Sequence, residues 1–237
     1  MNTHAKAVVL LFGVLGVLVV AGAGAMYLLR DEPPEPAPIP IAQPSGAVIA
    51  TVDGRPIYLD EAASRVSGLT GLHEGFDLEG EWAERILMSL VDDQIIRVTA
   101  ADLGLGMSQE ELRAHLGELE SNFGTEPEFD AWLEEQGIDL AELARRVELQ
   151  TLAARVYEDV TSQVAVTEDE ARAYYKEHRD EFDTPDGAVP GFLFVQEQIM
   201  QDLLKQAQDQ AFGEWLKDRE ADADVEVLVE DWWKEIA

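Results

Sequence analysis

Residues 7–29, AVVLLFGVLGVLVVAGAGAMYLL, run without one charged side chain, and all 48 acidic residues of the chain come after them. At about 1.5 Å of rise per helical residue such a run reaches roughly 34 Å, enough to cross a hydrocarbon core of about 30 Å. Lys6 and His4 precede the run, whereas Arg30 is followed at once by Asp31, Glu32 and Glu35. The positive-inside bias therefore predicts residues 1–6 in the cytoplasm, one transmembrane anchor over 7–29 in the inner cell membrane, and an extracytoplasmic, periplasmic body. A cleaved signal peptide is the alternative. Val8–Val20 form a compact apolar core, and Ala21-Gly22-Ala23 and Ala23-Gly24-Ala25 offer small-residue cleavage sites that would leave a soluble periplasmic protein. Met26, Tyr27, Leu28 and Leu29 prolong the run past either cut and favour the anchor.

The body that follows is acidic enough to give the whole chain a net charge of −31, so nucleic acid and anionic head groups are repelled. Cysteine is absent, which excludes disulfides and a cysteine-linked lipid anchor. His4, His73, His115 and His178 stand apart with no metal-ligand spacing, and neither G-x-S-x-G, a phosphate loop nor a dinucleotide fingerprint occurs. Asp92-Asp93 and Glu134-Glu135 pair carboxylates, but in so acidic a chain such neighbours read as solvated helix faces. No catalytic residue, metal site or cofactor is expected on these grounds.

Asp31–Pro44, DEPPEPAPIPIAQP, reads as an extended proline-rich linker within residues 30–46, holding the body off the bilayer. Residues 48–52 alternate as a short strand, Asp53-Gly54 supplies a turn, and Pro56 confines the returning arm to an edge. From Leu59 to about Phe182 the pattern is helical. Ser108 with Glu111, Thr125 with Glu128, and Thr167 with Glu170 have capping-box spacing, and Asp139 with Glu142 imitates it. Trp82, Ile86, Leu87, Leu90, Val91 and Ile95 form one apolar stripe, and Leu140, Leu143, Ala144, Val147, Thr151 and Ala154 another. A breaker-rich link over 183–192 precedes a last long helix from about Phe194 to Asp222. Val225, Val227 and Val229 then alternate as a terminal strand, for which residues 47–52 are the available partner. The fold class expected is mainly α, with a small β pairing between the two ends of the body.

Four stretches, taken in order, resemble the SurA-type N-terminal chaperone domain family, which includes anchored PpiD- and PrsA-like members. AVIATVDGRPIYLDEA is similar to the opening strand, turn and first helix. LVDDQIIRVTAADLGLGMSQEEL resembles the long helix, glycine break and capped next helix, and VTEDEARAYYKEHRDEF the helix that ends the first block. VQEQIMQDLLKQAQDQAFGEWLKDREADADVEVL resembles the returning helix and strand. The resemblance implies a single helical chaperone domain over 47–237. In isomerase members a parvulin prolyl-isomerase domain of about 90–100 residues stands where this chain has 183–192, and its histidines and glycine-rich run do not occur here. The expectation is therefore a chain that lacks the parvulin domain and is not an enzyme.

The function implied is a membrane-anchored holdase for unfolded or newly exported polypeptides, with no nucleic acid among its partners. The client-binding candidates are Phe123, Phe129 and Trp132 on one short helix, and Tyr174, Tyr175, Phe192 and Phe194 around the link, each of which is also an ordinary core aromatic by spacing. The alternative is a membrane-anchored structural or assembly protein that docks one envelope partner through Trp232, Trp233 and Ile236.

Overall fold

The structure, a computed structural model, describes residues 37–70, 80–182 and 190–236. The anchor expected over 7–29 and most of the link over 183–192 lie outside these residues. Among the described residues no helix is long and apolar enough to cross a membrane. The chain divides into two compact units, one of Pro36–Asp159 with Leu216–Ala237 and one built on Val160–Trp215.

In the first unit, β1 (Val48–Val52) and β2 (Arg55–Tyr58) form a hairpin. Its two turn residues, Asp53 and Gly54, have φ of 50° and 72°, the left-handed pair that a tight hairpin needs. β3 (Val225–Val227) lies antiparallel on the other side of β1, giving the order β2-β1-β3. Ala50 faces Val227, Thr51 faces Glu226 and Val52 faces Val225, so the expected pairing of the body's two ends is present. Asp53 secures the join twice: its N–H donates to the Asp224 carbonyl at 2.9 Å and its carboxylate accepts from the Asp224 N–H at 3.0 Å.

Five helices continue the unit: α1 (Leu59–Thr70), α2 (Glu81–Leu103), α3 (Gln109–Ser121), α4 (Glu126–Gln136) and α5 (Leu140–Thr161). α3 starts with a full reciprocal box between Ser108 and Glu111. The Thr125 side chain makes no such bond, and α4 instead begins with Pro127 in its first turn, where a missing N–H is harmless. Gly104 and Gly137 end α2 and α4 in the left-handed conformation, with φ of 70° and 66°. The α2 stripe is buried from Ile86 to Ile95, while Trp82 at its start is half-buried.

Charges, too, hold these helices together. Glu142 stands three residues after Asp139, whose carboxylate accepts the Glu142 N–H at 2.8 Å, but the Glu142 carboxylate does not close a box. It accepts two bonds from Arg145, at 2.7 and 2.8 Å, and one from Arg146 at 2.9 Å. Ser64 of α1 donates to it as well, at 2.5 Å. Burial alone would raise its pKa, but these donors hold it down at about 2. Glu61 accepts from the Tyr58 N–H at 3.0 Å and pairs with Arg145 at 3.5 Å and Arg97 at 4.0 Å. Asp93 is buried against Arg65.

The expectation of a solvated Asp92-Asp93 face is thus corrected. Asp93 is 5% exposed, because its face of α2 is covered and meets the Arg65 guanidinium of α1. Its neighbour Asp92 shares a hydrogen bond with Glu220 near the end of the last long helix. Burial, that bond and the adjacent charges push it from 3.8 up to about 8. An unfolded chain loses this proton near pH 3.8 while the folded one keeps it to about pH 8, so stability contributed here falls as pH rises through that window. Asp92→Asn, permanently neutral, is expected to flatten the decline between pH 4 and pH 8 and to be more stable than the parent at pH 8, on the order of 1 kcal/mol. Urea unfolding at several pH values measures this; parallel declines in both proteins would remove Asp92 from the pH response.

Candidate functional site

The unit built on Val160–Trp215 contains α6 (Glu168–Glu177), a short 3-10 turn over Arg179–Phe182 and the first part of α7 (Phe192–Asp222). A complete capping box between Thr167 and Glu170 starts α6. Ala171, Phe192 and Ile199 are its buried core, with Tyr174, Tyr175, Phe182, Val195, Met200 and Leu203 packed around them. The start of α7 is pinned from two sides. The Tyr175 hydroxyl donates to the Pro190 carbonyl at 2.6 Å, and the Arg172 guanidinium lies 4.4 Å from the Phe192 ring centre.

Pinning Phe192 inward turns its neighbours outward. Successive helical residues point about 100° apart, so one core cannot take all of Phe192-Leu193-Phe194-Val195. Leu193 is 79% and Phe194 88% exposed. Beside them a groove of about 510 Å³ is lined by Val164, Ala165 and Val166 ahead of α6 and by Leu193, Met200 and Leu204 of α7, with Glu197 and two glutamines among the lining. An apolar floor with polar side chains and two bare apolar residues beside it suits an apolar polypeptide segment rather than a small charged substrate. Among the described residues no group of histidines and carboxylates is arranged to hold a metal ion.

Of the residues singled out from the sequence, Phe194 is exposed and follows the groove residue Leu193 directly in the chain, whereas Phe192, Tyr174 and Tyr175 belong to the unit's core. Phe123, Phe129 and Trp132 belong to the other unit. Their rings lie 5.1–6.0 Å apart on the cluster formed by Leu112, Leu116, Leu133, Leu143, Ala144 and Val147, with Phe129 only 5% exposed. Trp232 is 1% exposed with Trp233 edge-on to it at 6.0 Å, and Trp233 and Ile236 are half-buried. Leu193 was not singled out. Its signal was the unbroken apolar run at 192–195, which a single helix face cannot absorb.

A second surface involves the proline-rich segment. Residues 37–45, expected to belong to a free spacer, lie as an extended strap on the first unit. Ile39 and Ile41 pack against the Leu112–Val147 cluster, and Ala37, Pro38 and Pro40 stay exposed. The Arg113 guanidinium donates to the Ala37 carbonyl at 3.3 Å, the Ile39 N–H donates to Gln109 Oε1 at 2.8 Å, and the Ala42 N–H donates to the Ala141 carbonyl at 3.0 Å. Ser45 closes the strap on Asp60 through its N–H and hydroxyl, at 2.6 and 3.0 Å.

Two family models match this chain. Residues 1–157 match the SurA-like N-terminal domain, and residues 166–232 match the PPIC-type PPIase domain. The second match corrects two expectations, that the parvulin domain is missing and that the chain is no enzyme: a PPIC-type segment is present and points to a peptidyl-prolyl isomerase. The family resemblance leads one to expect that domain as an insert between Phe182 and the returning helix. The similarity instead runs through α6, α7 and β3 themselves, which had been assigned to the chaperone domain alone.

Foldase protein PrsA of Clostridium acetobutylicum is 27% identical over 103 residues, 42% of this chain and 31% of that protein. Foldase protein PrsA of Clostridium perfringens is 26% identical over 155 residues, 60% of this chain and 45% of that one. The chain thus spans less than half the length of these curated relatives, 31% and 45%. A solved chain from Campylobacter jejuni shares the fold with a TM-score of 0.57 at 12% identity, covering 77% of this chain and all of that one. It comes from a study of the virulence factor PEB4 and the periplasmic protein Cj1289, described there as structurally related SurA-like chaperones. With its matching model covering residues 1–157 of 237, the chain belongs to the SurA-like N-terminal domain family.

Proposed function

We propose that this protein is an extracytoplasmic chaperone that receives apolar segments of unfolded polypeptides at the groove beside Leu193 and Phe194. The observation that carries the proposal is the pair of bare apolar side chains, 79% and 88% exposed, next to an apolar groove. Soluble proteins seldom keep such a surface without a use. Family membership supports it, as do relatives named foldases and a shared fold with SurA-like chaperones. No nucleotide step is invoked: binding and release follow the client's own burial of apolar surface as it folds.

Several unrelated, chemically unfolded proteins are diluted with and without the full chain at matched ionic strength, and light scattering is followed. The full chain is expected to suppress aggregation at near-stoichiometric amounts. Leu193→Ser/Phe194→Ser is expected to need about tenfold more protein, since burying each parent side chain is worth roughly 1.5–3 kcal/mol and only part of that is realised in a loose complex. Both positions are exposed, so the fold is left intact. Equal suppression by the variant would move the client surface elsewhere; no suppression by either protein would end the chaperone proposal.

The match over residues 166–232 adds prolyl isomerisation to the proposal. The barrier to be lowered is about 18–20 kcal/mol, and uncatalysed relaxation takes tens to hundreds of seconds. Relaxation of a proline-containing test peptide is expected to accelerate with added protein. Traces that superimpose on the uncatalysed one would confine the function to holding.

The proposal keeps residues 7–29 as the membrane anchor, on the strength of their uncharged length. The full-length chain is expected in the membrane fraction after an alkaline wash. A soluble form beginning near Gly24 or Met26 would mean a cleaved leader.

A further inference from the structure

We infer that residues 37–45 are an internal ligand of a second polypeptide-binding surface, formed by α3, α4 and α5, and that an extended client segment with apolar residues two apart takes the strap's place there. The inference rests on the chaperone proposal for its client; the occupied surface is independent of it.

Three features of the strap are those of a bound peptide rather than of a linker laid down by chance. First, the bonds that hold residues 37–42 to α3 and α5 all reach strap main chain: the Ala37 carbonyl, the Ile39 N–H and the Ala42 N–H. Main-chain recognition accepts almost any sequence, which is what a surface for varied clients requires. Second, burial alternates, with Ile39 and Ile41 turned to the cluster and Pro38 and Pro40 turned out. That is the period-two pattern of an extended peptide docked by every second side chain. Third, the exposed prolines carry no N–H that needs a partner, and they hold the segment extended before it binds, lowering the entropy cost of docking.

The strap also binds weakly enough to be displaced. Ile39 and Ile41 are only half-buried, and neither ring of Pro38 or Pro40 is covered. Its advantage over a free peptide is its tether, which sets an effective concentration of about a millimolar or more. A client that offers larger apolar side chains has the means to compete.

The experiment uses the full chain. Ile39→Ser/Ile41→Ser removes the strap's two anchors and leaves the receiving surface untouched. Its probe is a fluorescent peptide of sequence APIPIAQPS, residues 37–45, followed by anisotropy. The parent is expected to bind it no tighter than about millimolar, and the variant at least about tenfold tighter. Adding Gln109→Ala and Arg113→Ala to the variant is expected to weaken binding again severalfold. Unaltered protein gives a second reading by hydrogen exchange. The Ile39 and Ala42 amides, both hydrogen-bonded, are expected to exchange faster when a permanently unfolded client is added.

A helical variant that binds the peptide no better than the parent overturns the inference, and so does strap exchange that ignores a client whose aggregation the protein suppresses. In both cases the chaperone proposal stands. If the double variant does not fold, the exchange measurement on the parent decides alone. Peptide binding by the released variant with no suppression of aggregation by any form would sink the chaperone proposal and leave the surface.

Discussion

The ladder between β1 and β3 is the contact on which the first unit depends, because it joins segments that the chain itself keeps far apart. Asp53 and Asp224, the pair beside it, are separated by 171 positions. Closing a loop of that length costs conformational entropy that grows only logarithmically, about 0.6 kcal/mol for each doubling, but the cost falls before any reward arrives. The reward is therefore concentrated at the join. The Ile49 carbonyl accepts from both Leu228 and Val229, Ile49 and Val52 are fully buried, and Trp232 is inserted immediately beyond. A three-residue strand would be worth little alone; the buried Trp232 that follows it in the chain adds to what fixes the returning end.

Within this frame basic side chains are scarce, 17 against 48 acids, and their distribution shows where charge has a structural use. Arg65, Arg97, Arg145 and Arg146 all belong to the joint of α1, α2 and α5, opposite Glu61, Asp93 and Glu142. Planar guanidinium groups bind two carboxylate oxygens at once, as Arg145 does with Glu142. Lysine would supply the charge without that geometry. Partly buried pairs of this kind add little net stability against an apolar alternative, but the loss of one partner strands the other, so they fix which helices meet. On the outer faces some acids pair with a base one turn away, as Glu81, Glu168 and Asp209 do with Arg85, Arg172 and Lys205, but acids outnumber bases so far that the excess repels itself and weakens the compact state.

What the sequence disclosed follows from the range over which each signal acts. Capping boxes at Ser108 and Thr167 and the αL glycines at 104 and 137 are local, and they fixed the ends of α3, α6, α2 and α4. The β1–β3 pairing was legible because a terminal strand must find a partner and only one was on offer. Asp93 was not: two adjacent acids look the same whether they face water or an arginine 28 positions away. The strap was missed for a similar reason. Proline-rich composition predicts extension correctly but carries no information on whether the extended chain lies free or against something, and the partners Gln109, Arg113 and Ala141 are 70 or more positions distant. In the second unit, aromatic residue type pointed to Tyr174, Tyr175 and Phe192, which are spent on the core, as readily as to Phe194, which is exposed. The PPIC-type similarity was hidden by the assumption that it must form an insert.

On the proposed function, acidity and apolar exposure would act on a client at different distances, and this would set the order of events at the surface. Charges are felt over about a Debye length, near 8 Å at physiological salt, so the net charge of −31 favours the approach of basic stretches and slows acidic ones. Once contact is made, Leu193 and Phe194 reward only apolar surface, whatever its charge, and salt scarcely affects that reward. Selection by charge therefore belongs to encounter and retention belongs to burial. Folding removes the client's apolar segments from reach while leaving its charges outside, so the retaining contact is lost first and the folded product is left with a surface that holds it only weakly. On the proposed function, release would thus follow from the client's own progress, and the groove would need no energy source to let go.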